Sequence, residues 1–235
     1  MKEQAAFSIV YEDAHIIVVN KASGIAVGAD RWDSSKDRLD RLLAPVWVVH
    51  RIDKDTSGIV VFAKDAKTHR DLCYAFEQRK VDKTYHAVVS GRPPWKEISC
   101  EQPLVVDGDK HHRTIIDKYQ GKKSLTQCKV LIAAGNYTVV ELRPQTGRTH
   151  QIRVHLAYLG HPVICDPLYG TMKPVCLSQF KRAWHGDLPS ERPLLSRLGL
   201  HASSILIPGY TVFNAPFSRD MHSVIAQMKK WGRNL

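Results

Sequence analysis

The chain reads as a mixed α+β protein in which strands outnumber helices, and three observations carry that reading. Short apolar runs recur along it, at residues 16–19, 45–49, 59–63, 83–89, 125–133, 137–142 and 200–207. Three other segments repeat apolar residues at helical spacing. Clusters of Gly, Pro, Asn and Asp separate them, as turns require.

In chain order, residues 9–28 predict a strand, a Glu12-Asp13 turn, a strand over 16–19 and a turn at Asn20-Lys21-Ala22-Ser23-Gly24. Residues 45–49 and 59–63 predict two buried strands flanking His50-Arg51-Ile52-Asp53-Lys54-Asp55-Thr56-Ser57-Gly58. Asp65 caps a predicted helix to about residue 78, with Leu72, Ala75 and Phe76 on one face. A strand over 83–89 follows. Pro93-Pro94 and the polar run 107–113 mark loops, and Gly121-Lys122-Lys123 another. Strands over 125–133 and 137–142 are joined by Ala134-Gly135-Asn136, a good hairpin turn.

A helix is expected from about Thr149 to Leu159, closed by Gly160 and Pro162. Ile152, Leu156 and Leu159 share one side of it, while His150, Arg153 and Ala157 fall on another, apart from the core stripe. Residues 171–199 turn basic and Pro-containing, and read as a mobile or partly helical insertion carrying Lys173, Lys181, Arg182, Arg192 and Arg197. After the last strand, Ser218 caps a helix with Met221, Val224, Ile225, Met228 and Trp231 on one face.

The bulk composition narrows the function classes. With 34 Lys and Arg against 23 Asp and Glu, the net charge is +11, which favours a polyanion partner. The five cysteines are scattered and odd in number, so neither a zinc ribbon nor a disulfide framework is expected. No stretch has the apolar length of a membrane span, and MKEQAAFSIV lacks the regions of a signal peptide. A cytoplasmic protein with no membrane partner is expected.

Three places carry candidate chemistry. Asp53 has Arg51 before it, Lys54 after it and Thr56-Ser57-Gly58 to fold a turn, and cationic neighbours keep a carboxylate ionised, as a nucleophile or base needs. On that pattern alone, a structural Asx turn is the commoner outcome. Residues 142–153 bring Arg143, Arg148, Arg153 and His150 to a helix start, a credible phosphate site that more often is only a solvated basic face. Tyr85 lies mid-strand, where a core aromatic is the default and a base-stacking platform the sharper alternative.

Together these segments are similar to the RluA family of pseudouridine synthases. The matching stretches are HRIDKDTSG at 50–58, KTYHAVVSG at 83–91, GKKSLT at 121–126, ELRPQTGRTHQIRVHLAYLGHPVICDPLYG at 141–170 and LHA at 200–202. IVYEDAHIIVVNKASG at 9–24 also looks like the start of that catalytic domain, with Ala22 where a proline is common. The resemblance implies a single catalytic domain over 1–235, built as a long curved, mostly antiparallel sheet flanked by helices with a central cleft. Because the pattern begins at about Ile9, no N-terminal accessory RNA-binding module is expected.

The resemblance further implies that Asp53 is the catalytic aspartate, Tyr85 the aromatic stacked on the target uracil, and Arg153 the base that pairs with Asp53. Arg51 would fill the space left by the flipped nucleotide, and His50, Thr56, Lys83, Arg148 and His150 are the other candidate RNA contacts. An enzyme acting on a base in folded RNA must extrude it, and a stacking platform with a cation in the gap offsets the unstacking cost. The reaction implied is isomerisation of uridine in ribosomal or transfer RNA, with no cofactor and no metal. Attack on the sugar, attack on the ring and removal of a sugar proton all remain open, and Tyr85 and Asp53 are both candidates for taking the C5 proton.

Structured RNA is the expected partner of a monomer. The alternative is a catalytically inactive RNA-binding protein of the same fold. The twelve histidines raise a metal-dependent hydrolase, but His150 and His155 are five apart and miss the four-residue spacing of a helical zinc pair.

Overall fold

The computed structural model describes residues 5–29, 38–181, 184–231 and 233–234. Its strands and helices follow in the order β1 (Phe7–Glu12), β2 (Ile16–Lys21), α1 (Leu39–Leu42), β3 (Trp47–Val48), β4 (Ser57–Ala63), α2 (Ala66–Glu77) and β5 (Asp82–Ser90). Then come β6 (Glu97–Cys100), β7 (Leu104–Val105), β8 (Ile115–Ile116), β9 (Thr126–Ala134), β10 (Tyr137–Pro144) and α3 (Gln151–Tyr158). The chain ends in β11 (Leu200–Leu206), β12 (Phe213–Asn214), α4 (Arg219–Trp231) and β13 (Arg233–Asn234). The class is α+β. Two compact units make up the chain, Met1–Thr84 with His201–Pro216, and Tyr85–Leu200 with Phe217–Leu235.

In the first unit β4 is the centre. It pairs antiparallel with β2 from Ile16↔Ala63 to Lys21↔Gly58, and parallel with β11 at His201↔Ser57 and Ala202↔Gly58. Every residue of β4 is buried, which explains its unbroken apolar run: a strand covered on both faces has no polar side to alternate with. The expected buried strand over 45–49 is much shorter. β3 is two residues long, pairs with Phe62 and Ala63, and leaves Trp47 41% exposed. Asp65 caps α2 as expected, accepting from Thr68 N at 2.8 Å.

In the second unit β10 pairs with β5 from Tyr137↔Ser90 to Leu142↔Tyr85 and with β9 on its other side. The β9–β10 hairpin turns on Gly135 and Asn136, and Gly135 takes φ +57°, where a side chain would be strained. Alternation along the strands separates two cores. Ala87, Val89, Val140 and Leu142 pack with Ile152 and Leu156 of α3, whereas Val88 and Val139 pack with Met221, Val224, Ile225 and Met228 of α4. The α4 stripe is therefore core, though Trp231 is 48% exposed.

Residues 171–199 are more integrated than their composition indicates. Val175, Phe180 and Leu195 are buried in the α4 core, and Val175 and Leu195 exchange backbone hydrogen bonds. Arg197 pairs with Asp220 through Nε and Nη2 at 2.6 and 2.8 Å. Lys173, Lys181 and Arg192 are exposed, while Arg182 lies outside the described residues. Ser218 donates its hydroxyl to Asp220. Among the described residues, no helix is long and apolar enough to cross a membrane.

Gly58 follows the Asp53 turn in β4, at φ +115° and flush against β11. A Cβ there would stand 2.6 Å from Ala202 N and nearer still to its carbonyl oxygen. Gly58→Ala is expected to destabilise the protein by roughly 2 to 4 kcal/mol, combining backbone strain with overpacking, as measured by urea denaturation.

Candidate active site

The turn carrying Asp53 closes with a hydrogen bond from Thr56 N to Asp53 O at 3.1 Å. It is held from below by Lys21, 1% exposed, whose Nζ donates to the carbonyls of Ala22, Ile25 and Lys54 at 2.9, 2.7 and 2.8 Å. Ser23 Oγ adds a bond to Asp55 O. At the start of β4, His201 Nε2 faces the Ala215 carbonyl and must donate to it. Its Nδ1 therefore accepts from Ser57 Oγ at 2.9 Å. Asp53 emerges half-buried and Arg51 exposed.

The other candidates near this turn are more enclosed. His50 Nε2 accepts from Val61 N at 3.0 Å, and its ring stacks on Phe76 with centroids 4.7 Å apart. Burial first, and then the Lys83 ammonium, push the His50 pKa down to about 3, so the imidazole is neutral and serves the scaffold. Lys83 is itself lowered by burial, against the opposing charge of Asp82. Thr56 is 2% exposed, and its Oγ1 finds no hydrogen-bond partner among the described residues.

In the second unit Tyr85 lies on β5, half-buried against the α3 core. α3 differs most from its sequence reading: Gln151 to Leu156 are all buried, so the face assigned to Arg153 is interior. Arg153 Nε and Nη2 each donate to an Asp166 oxygen at 2.8 Å, with the two side chains 3% and 0% exposed. Burial alone would raise the Asp166 pKa, but the bonds and charge of Arg153, with the amides of Leu168 and Tyr169, outweigh it and hold the carboxyl below its usual range. The Tyr169 ring lies 5.2 Å from the Arg153 guanidinium carbon, and its hydroxyl accepts from Thr114 N and pairs with His150 Nδ1.

His150 starts α3 in the left-handed region, φ 54°, half-buried. Gln151 accepts from Thr146 Oγ1 and Arg148 N and donates to Leu125 O and Thr126 Oγ1. Arg148 is partly exposed, and its buried Nε has no partner among the described residues. Among those residues no three His, Cys, Asp or Glu side chains gather into a metal-binding group.

The candidates thus fall into two sets, Asp53 with Arg51, His50, Thr56 and Lys83 in the first unit, and Tyr85 with Arg148, His150 and Arg153 in the second. Within the second, the structure gathers Arg153 and His150 around Tyr169. Sequence reasoning missed Lys21, Gln151, Asp166 and Tyr169. All four stood inside the family-like stretches, but nothing in their spacing marked them as buried polar groups.

Residues 15–158 match the sequence pattern of RNA pseudouridylate synthases. The chain belongs to the RNA pseudouridine synthase family. Within the RluA-type branch, it is 35% identical over 218 residues to the dual-specificity RNA pseudouridine synthase RluA of Escherichia coli, covering 88% of this chain and 92% of that one. It is 37% identical over 179 residues to the ribosomal large subunit pseudouridine synthase D of Borreliella burgdorferi, covering 69% of this chain but only 54% of that protein. Among solved structures, human RNA pseudouridylate synthase domain containing 1 superposes with a TM-score of 0.72 at 26% identity, covering 100% of this chain and 93% of the human chain.

The His50 shift sets a pH dependence. An unfolded chain takes up a proton at His50 near its ordinary pKa of 6.5, whereas the folded chain refuses it until about pH 3. This contribution to stability is complete above pH 6.5 and is lost as pH falls, by about 1 kcal/mol at pH 5.5. Burial also lowers His86 and His155, so the informative quantity is a difference. His50→Gln should show a shallower loss of urea stability than wild type between about pH 7 and about pH 5.5, and equal slopes would exclude an imidazole held neutral by the fold.

Proposed function

We propose that this chain, through a single catalytic domain, isomerises uridine to pseudouridine in ribosomal or transfer RNA, with Asp53 as the reactive carboxylate, Tyr85 as the stacking platform and Arg153 as the partner that orients Asp53. The observation that carries this reading is that all three lie inside the region 15–158 that matches the family. The names of two relatives, one a ribosomal large subunit enzyme and the other of dual specificity, support these target classes. The Escherichia coli RluA protein is covered almost end to end. The protein acts as a cytoplasmic monomer.

The chemistry required is the breaking of the C1′–N1 bond, rotation of the held uracil and its rejoining through C5. Uracil escaping to solvent would end the reaction, so stacking on Tyr85 and enclosure count as much as acid-base chemistry. Arg51, exposed two residues before Asp53, is suited to fill the vacated stack. His50 and Thr56 serve this role indirectly, by fixing the turn. Lys83, Arg148 and His150 remain candidate contacts to the RNA.

The decisive assay is incubation with a uridine-containing transcript and chemical detection of pseudouridine. Asp53→Ala should abolish product while leaving RNA affinity within about threefold, since a carboxylate neutralises no phosphate. Product from Asp53→Ala would sink the assignment, and binding without product from wild type would favour an inactive RNA-binding protein.

The sequence-independent part of binding is assigned to exposed cations of the 171–199 segment together with Lys118 beside the fully exposed Tyr119. Replacing Lys173, Lys181 and Arg192 with Gln should weaken binding across unrelated RNAs and reduce the salt slope by about one for each phosphate no longer neutralised. An unchanged slope in filter binding would remove that surface from the interface.

A further inference from the structure

We propose that Tyr119 is a specificity residue that stacks on an unpaired base of the RNA other than the reacting uridine, so that the protein favours RNA with exposed bases over fully paired RNA. This rests on RNA being the substrate and adds a selective element to that reading. The observation behind it is a ring 99% exposed on a loop whose backbone is closely held. Tyr119 lies between the family-like stretches 83–91 and 121–126, in neither of them.

The loop is built on β7 and β8, which pair Leu104↔Ile116 and Val105↔Ile115. Past β8 the chain returns alongside β7. Asp117 N donates to Pro103 O at 3.1 Å, and Leu104 and Lys122 exchange backbone bonds of 3.0 and 2.9 Å. Between these anchors Asp117 Oδ1 accepts from Tyr119 N and Gln120 N at 2.8 and 3.0 Å, and Gly121 N donates to Asp117 O at 3.0 Å. A side chain at Gly121 would break this turn, because its Cβ would stand 2.7 Å from the Pro103 carbonyl carbon and nearer still to Asp117 O. The base of the loop is tied to α3 as well, through His155 Nε2 and Gln102 O at 3.0 Å.

A rigid loop that buries none of its aromatic ring leaves both ring faces open to a partner. The surroundings fit nucleic acid. Residues 118–123 carry Lys118, Lys122 and Lys123, all exposed, with no carboxylate and no second apolar side chain. A protein interface would want an apolar cluster at its centre, whereas a ring set among cations suits a base flanked by phosphates. In duplex RNA the bases already cover one another, so an unpaired base is the one that can offer its face. With the backbone ordered beforehand and two side-chain torsions left to fix, little freedom is lost on stacking.

The test compares affinity for a stem–loop RNA with an unpaired, uridine-containing loop and for a long fully paired duplex. Tyr119→Ala removes no packing and should melt as wild type does. It should weaken stem–loop binding by about 10-fold or more and duplex binding less than about twofold, with the salt slope unchanged because a ring neutralises no phosphate. Tyr119→Phe, which keeps the ring, should stay within about twofold of wild type on both RNAs. Wild-type affinity of Tyr119→Ala for the stem–loop, equal losses on the two RNAs, a reduced salt slope, or a Tyr119→Phe as weak as Tyr119→Ala would each overturn the role.

Asp117→Ala, which frees the turn, should lose about threefold on the stem–loop and nothing further when combined with Tyr119→Ala. Multiplying losses would overturn the part assigned to the ordered turn. Single-turnover rates separate this proposal from the functional reading. At saturating protein Tyr119→Ala should form pseudouridine at the wild-type rate, with only the half-saturating concentration raised. Wild type that binds the stem–loop but forms no pseudouridine in ribosomal or transfer RNA defeats the functional reading and leaves stacking to be judged by affinity. An active wild type with an unaffected Tyr119→Ala defeats stacking alone.

Discussion

An ammonium taken out of water costs several kcal/mol unless acceptors replace its hydration shell, and the first unit is arranged around that requirement at Lys21. The end of β2 carries this side chain into the interior, where three carbonyls meet its three N–H bonds. Two belong to the turn after β2 and the third, from Lys54, to the turn that presents Asp53. Gly24 N also donates to Lys54 O. The position of the candidate nucleophile is therefore set by backbone oxygens, which every residue possesses. Ala22 keeps its carbonyl on Lys21 and donates its N–H to Ala6 O, a bond that a proline at this position could not make.

The second unit solves the same problem with side chains. α3 has polar groups at 151, 153 and 155 and apolar ones between and after them, yet all six residues from Gln151 to Leu156 are interior. Each polar group has its complement. Thr126 Oγ1 accepts from Gln151 Nε2 and donates to His155 Nδ1, because His155 Nε2 must donate to Gln102 O. Arg153 has Asp166. Removing one partner from such a network leaves the other buried and unsatisfied, at about 1–3 kcal/mol for a neutral group and more for a charge. The helix is thereby fixed in rotation as well as position, and the direction in which Arg153 points is settled by its neighbours.

These two devices explain which parts of the protein were legible in its sequence. Elements defined by apolar period came through: β4 as an unbroken run, α2 with its Asp65 cap, the Gly135 hairpin and the α4 stripe. Period fails where polar side chains are interior. His150, Arg153 and Ala157 fall on one face of α3 as a solvated surface would, and only the distant Asp166 and Tyr169 make that face a core. The opposite error occurred at 171–199, where scattered Val175, Phe180 and Leu195 are too far apart for any period but meet α4 in space. Trp47 shows a third limit, since apolar character says nothing about whether an edge strand is covered. The Asp53 turn was conspicuous for its charges, but its reading as a reactive site came from likeness to a family and not from spacing.

The same distinction sorts the positive charge. Arg38, Arg113, Arg153 and Arg197 each face an aspartate, at Asp40, Asp109, Asp166 and Asp220, so they contribute little net field at long range. The excess of +11 resides instead on exposed side chains such as Lys67, Lys118, Lys122, Lys173 and Lys181. Lysine is a mobile point charge that neutralises phosphate without demanding a geometry, whereas arginine's fork is directional. Apart from the buried Lys21, the arginines that face aspartates organise the protein and the exposed lysines cover its surface. Under the proposed function, attraction to RNA is general and salt-sensitive, and the choice of one uridine falls to the shape that folded RNA presents.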